Sequence, residues 1–157
     1  MLCRERDVKV IATDVADMRQ TIAEERGENA QWDLKYASGG LVDLEFIAQY
    51  LQLVHAAEHP EILDTNTARV LDRAWRLGLL PARDADVLRP AVRLYHNLTQ
   101  VLRLCLPGPF DPKTAGKGLL DLLCRAADLP NFAALDAHVA DTRQKVRACF
   151  NRILGAG

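Results

Sequence analysis

The sequence predicts an all-α bundle of about five to six helices in one domain spanning residues 1–157, and three observations carry that expectation. Apolar residues recur at steps of three and four along nearly the whole chain, no stretch alternates as a strand does, and glycine or proline falls where helices should end. A chain of 157 residues holds one ordinary core and is short for two.

Val8, Ile11, Val15, Met18 and Ile22 form one apolar stripe on a long first helix. Arg19, Glu24, Glu25 and Arg26 lie off or beyond that stripe, and Gly27 stops the helix. Residues 28–40 are polar and irregular and read as a long connection. A second helix starts near Gly40 and runs to about His59, where Pro60 ends it. A third covers roughly Thr65 to Leu77, opened by a Thr or Asp cap and closed by Gly78.

The fourth begins at Pro81 and continues to about Leu106. Its stripe is Ala85, Leu88, Val92, Tyr95, Thr99, Leu102 and Leu106, and Pro90 inside it predicts a kink or short break. "PGPFDP", residues 107–112, is a loop. A fifth helix spans about 115–128. A sixth runs from Asn131 to Ile153 with Leu135, Val139, Val146, Phe150 and Ile153 inward. There is no internal repeat.

A formal net charge of −1 argues against a nucleic-acid partner, and the absence of a long apolar run argues against a membrane span. The charged N-terminus (Arg4, Glu5, Arg6, Asp7) is unlike a signal peptide, so the cytoplasm is the expected location. Cys3, Cys105, Cys124 and Cys149 form no C-x-x-C pair, and the last three sit among apolar neighbours as structural thiols.

Several motifs tempt and fail. "HAAEH" matches a zinc peptidase pattern through His55 and His59, but Pro60 places it on a fraying last turn with no third ligand. "KTAGKG" lacks the first glycine of a phosphate loop (Asp111 stands there), and Gly118 follows Lys117. Ser38 is the only serine, and no nucleophile elbow surrounds it.

"DLKYASGGLVDLEFIAQYLQL", residues 33–53, is different. Asp43 shares its helix face with Phe46, Ile47 and Tyr50, while Glu45 shares another with Gln49 and Gln52. An acid on an aromatic-aliphatic face is expected to be buried and to need a cation, either Lys35 or an arginine from another helix. The Gly39-Gly40 pair at a helix start reads either as a plain turn or as exposed amides, which with Lys35 would receive phosphate.

This segment resembles one in bacterial glutamine-synthetase adenylyltransferase, the enzyme that adds AMP to and removes it from glutamine synthetase. Asp33, Lys35, Gly39, Gly40, Asp43, Glu45, Phe46 and Gln49 all match, and the likeness is clearest from about residue 31 to 106. "LYHNLTQVLRL" departs from the family, since it lacks the acidic-basic pair of the usual long helix. The uridylyltransferase acting on the PII protein is a sister family with a comparable helical neighbour.

The resemblance implies a piece of a larger enzyme: a C-terminal helical domain that follows a nucleotidyltransferase domain in the adenylylating half. The G-S and D-x-D signature whose carboxylates hold magnesium is absent, so ATP and Mg2+ are implied for the parent enzyme, and no metal is assigned to this chain. Met1, in mid-helix surroundings, reads as a boundary. The resemblance suggests Lys35, Gly39, Gly40 and Asp43 near nucleotide and Asp33, Glu45 and Gln49 at a domain interface, with the alternative for Asp43 and Glu45 that they bind arginines of the missing domain. It implies as partners the upstream nucleotidyltransferase domain, glutamine synthetase and a PII-type signal protein. The competing expectation is a module that binds glutamine synthetase or PII without touching nucleotide.

Overall fold

The computed structural model describes residues 2–27 and 30–155, with side chains from residue 7 onward. The expectations for Met1 and for the side chains of Cys3, Arg4, Glu5 and Arg6 lie outside these limits. Among the described residues the structure is all-helical: α1 (Leu2–Arg26), α2 (Leu41–His55), a 3-10 turn (Pro60–Ile62), α3 (Thr67–Arg76), α4 (Ala82–Cys105), α5 (Lys117–Ala126) and α6 (Phe132–Leu154). None of these helices is long and apolar enough to cross a membrane.

α2 is the central element and packs on α1, α3, α4 and α6. It buries Leu41, Leu44, Ile47, Ala48, Tyr50 and Leu51 on more than one side, as a helix surrounded by others must. α4 and α6 complete the core through Leu88, Val92, Tyr95, Leu98, Val139, Val146 and Phe150.

Several boundaries differ from the sequence expectation. α2 stops at His55, four residues early, because Pro60 forces His59 out of the helical region (φ −132°, ψ 71°) and the chain turns before it. His55 and His59 therefore do not share one regular helix, and His59 Nδ1 lies 3.4 Å from Glu61. α3 is capped by Asn66 rather than by Thr or Asp; its side chain accepts from Arg69 N at 3.1 Å. α4 passes unbroken through Pro90. Pro90 and Asp86, whose carbonyl loses its usual donor, are both exposed, so the freed carbonyl is on the solvent side of the helix.

Cys124 and Cys149 are buried as expected, but Cys105 is exposed at the last residue of α4. Cys149 lies beside a second buried acid, Asp84: its Sγ donates to Asp84 Oδ1 at 3.5 Å, and Arg152 pairs with the same carboxylate. Burial, and then the Asp84 charge, push the Cys149 thiol up to about 11. The sign follows: a thiol held protonated stabilises the fold below its ordinary value, and that contribution disappears as pH rises through about 11. In a Cys3→Ser background, iodoacetamide at pH 8 should modify Cys105 within minutes and leave Cys124 and Cys149 intact, as read by peptide mass. Fast modification of Cys149 would contradict its burial.

Candidate functional site

The connection before α2 is held from three directions. Trp32 stacks on Phe132 at 5.5 Å and meets Phe110 edge-on at 5.1 Å, while its Nε1 donates to Asp136 Oδ1 at 2.9 Å. Further along, three backbone carbonyls receive side-chain donors from three helices. Arg19 Nη2 of α1 donates to Tyr36 O at 2.9 Å, Arg143 Nε of α6 to Ser38 O at 2.9 Å, and the Tyr95 hydroxyl of α4 to Gly39 O at 2.8 Å. Burial raises the Tyr95 phenol far above its ordinary value, so it remains a donor at any physiological pH.

At the centre of this cage sits Asp43, fully buried. Its carboxylate accepts from Arg19 Nε, from Arg147 Nη1 at 3.1 Å on both oxygens, and from Gly39 N at 2.6 Å. A buried carboxylate is tolerated when it has cations and donors around it, and here α1, α6 and the loop supply them together. The expectation that Asp43 is buried against an arginine from another helix holds. Lys35 does not serve: it is exposed, with its Nζ 5.3 Å from the centre of the Tyr36 ring.

The glycine pair corrects the sequence expectation of open amides. Gly39 N donates to Asp43, Gly40 N donates to Ala37 O at 2.8 Å, and both residues are buried. The next two amides of α2 are also occupied, Leu41 N by Leu34 O at 2.8 Å and Val42 N by Lys35 O at 2.9 Å. The pair is required by crowding instead. Gly39 has φ +79°, and a Cβ there would lie 2.0 Å from the Arg143 carbonyl oxygen of α6. A Cβ on Gly40 would lie 2.6 Å from Leu34 O.

Of the other residues expected at the site, Lys35, Glu45 and Gln49 face outward and Asp33 is half-buried. Glu45 and Gln49 are exposed, and their side chains make no hydrogen bond or ion pair among the described residues. They stand one turn apart on α2, a full turn beyond the loop that carries Lys35. Asp33 is half-buried and accepts from Tyr36 N at 3.2 Å, a local turn contact. The segment thus divides into a buried half that builds the loop (Gly39, Gly40, Asp43) and a half that presents Lys35, Glu45 and Gln49 to the outside.

Arg19, Arg143, Arg147 and Tyr95 complete the site and were not singled out from sequence as parts of it. Arg19 had a readable signal: it follows Val15 by four residues and so shares the inward side of α1, where it is 1% exposed while Met18 is 44% exposed. Above Arg147 opens a cleft of about 460 Å³ bordered by Gln31, Ser38, Arg143, Gln144 and Asn151. The described residues do not fit magnesium. Asp43 is enclosed by two arginines and an amide, and no group of three His, Cys, Asp or Glu side chains converges.

The family model described as GlnD PII-uridylyltransferase matches residues 12–154. The chain is 59% identical over 155 residues to a bifunctional glutamine synthetase adenylyltransferase/adenylyl-removing enzyme of Rhodopseudomonas palustris, covering 99% of this chain and 16% of that protein. It is 55% identical over 154 residues to the protein of the same description from Bradyrhizobium diazoefficiens, covering 98% of this chain and 16% of that protein. With the one from Xanthobacter autotrophicus it shares 57% over 149 residues, 95% of this chain and 15% of that protein. The chain therefore spans about a sixth of the length of these relatives. On the match of its residues 12–154, the chain belongs to the GlnD PII-uridylyltransferase family.

Proposed function

We propose that this chain is the helical part of an enzyme that transfers AMP from ATP to a tyrosine of glutamine synthetase, and that it supports the adenylylating half while being inactive alone. The observation that carries the reading is the division of the 33–53 segment. Lys35, Glu45 and Gln49, three of the segment's matching residues, stand exposed, and the side chains of Glu45 and Gln49 have no partner inside the domain. Similarity to the adenylyltransferases at 59% identity supports the choice of reaction.

In this reading Glu45 and Gln49 dock the upstream nucleotidyltransferase domain. Lys35 is the member of the nucleotide-proximal group that still offers an open charge, because Gly39, Gly40 and Asp43 are engaged internally. The carboxylates for Mg2+ and the ATP pocket belong to that other domain. The reaction runs in the cytoplasm, under control of a PII-type signal protein.

The test is AMP transfer from labelled ATP to glutamine synthetase with magnesium, using this chain, the separately made upstream domain, and the two mixed. Transfer only in the mixture is expected. Transfer by the upstream domain regardless of this chain would move the assignment to a module that docks glutamine synthetase or PII. In the complete enzyme, Lys35→Ala should lower kcat/KM by about tenfold or more, the loss of one charge-assisted contact in the transition state. Unchanged transfer would remove Lys35 from the nucleotide's surroundings.

A further inference from the structure

A second candidate site lies away from the 33–53 segment, between α3 and α4. Residues 67–105 carry seven arginines, no lysine and three aspartates, although the chain as a whole is slightly acidic. Three of these arginines and Asp72 gather about one cleft.

The cleft measures about 360 Å³ and is bordered by Arg69 and Asp72 of α3 and by Arg89, Arg93, His96 and Asn97 of α4. Positions 89, 93, 96 and 97 are one helix face, so successive turns of α4 present cations or donors to the same space. Arg89 is fixed in place: its guanidinium carbon stands 4.4 Å from the centre of the Trp75 ring, and its Nη2 lies 2.8 Å from Asp72 Oδ1. Asp72 is shared, since Arg76 Nε reaches its other oxygen at 3.1 Å. One carboxylate thus serves two arginines and cannot neutralise the cleft.

The other two arginines are open to a ligand. Arg93 is exposed and makes no hydrogen bond or ion pair among the described residues. Arg69 meets an acid only at 3.7 Å, where Asp64 is already held by Arg73 at 3.3 Å. Guanidinium forks match the paired oxygens of phosphate, and arginine in place of lysine at every basic position of this face suits such bidentate contacts. The dimensions are those of a small-molecule cleft.

We propose that the α3–α4 cleft binds the phosphate groups of a small polyphosphate, of the nucleoside triphosphate or pyrophosphate class, with Arg93 and Arg69 as the contacting forks and Arg89 as the fixed one. This proposal is independent of the docking role given to Glu45 and Gln49 and of the nucleotide contact given to Lys35.

The experiment is calorimetric titration of the 157-residue chain at 150 mM NaCl with pyrophosphate, ATP, adenosine and an octaglutamate peptide. Pyrophosphate and ATP are expected to bind at one site and adenosine not at all. Arg93→Gln and Arg69→Gln should each weaken both ligands by about tenfold while leaving the far-ultraviolet circular dichroism unchanged. Equal affinity for pyrophosphate and ATP assigns recognition to phosphate alone, and tighter ATP adds a base contact; both support the site. Absence of binding at this salt, binding indifferent to both substitutions, or octaglutamate binding as tightly as pyrophosphate would each overturn it.

Discussion

Asp43→Ala is expected to destabilise the chain by about 3–5 kcal/mol, because it leaves the Arg19 cation buried without its carboxylate. The two arginines are not equivalent partners. Arg19 is 1% exposed and cannot rehydrate, whereas the Arg147 side chain is 27% exposed and can turn toward water. Arg147→Ala should therefore cost about 1 kcal/mol, since Asp43 keeps Arg19 and the Gly39 amide. Urea unfolding of the three proteins gives the order. If Asp43→Ala and Arg147→Ala lose the same stability, the carboxylate is not the anchor described here. A typical domain has about 5–15 kcal/mol in total, so the Asp43 variant would be marginal at 37 °C. Pairing it with Arg19→Met, which removes the stranded charge and keeps an apolar stem, should recover part of the loss.

Gly39→Ala is the second large effect, expected to cost several kcal/mol from two separable sources. An L-residue at φ +79° is strained by about 1–2 kcal/mol. The added methyl also meets the Arg143 carbonyl oxygen, backbone of α6 that can yield only if the helix shifts, for about 1–3 kcal/mol more. Gly78→Ala separates the two: φ is +75°, and nothing lies within 4 Å of the new Cβ. It should show the conformational cost alone, about 1–2 kcal/mol. Thermal melts of both variants decide it; equal losses would mean that α6 does not press on Gly39.

What was legible in the sequence follows from which forces are local. The face shared by Asp43, Phe46, Ile47 and Tyr50 announced a buried acid, because helical spacing alone puts the carboxylate among apolar side chains. The identity of its partners was harder to read. Met18 and Arg19 follow Val15 by three and four residues, so spacing admits Arg19 to the inward side without excluding Met18, and the position of Asp43 on a neighbouring helix decides between them. The glycine pair stayed ambiguous for the same reason. Two glycines before a helix look alike whether they receive an anion or a neighbouring backbone, and the Arg143 carbonyl that decides the matter is far away in the chain. Exposure of Cys105 turned on where α4 leaves the core, a boundary that apolar neighbours in sequence do not mark.

The loop that shapes the 33–53 segment is closed by a residue 105 positions further on, Arg143, which donates to Ser38 O. During synthesis the chain emerges from its N-terminus, and at a few residues per second the ribosome releases α1 and α2 well before α6. Over that interval Asp43 has Arg19 but not Arg147, and the carbonyl of Ser38 and the backbone at Gly39 have water where α6 will stand. The segment can therefore take its final shape only when the last helix arrives, so a ribosome stalled before α6 would carry a nascent chain whose docking face is present in sequence and not yet in form.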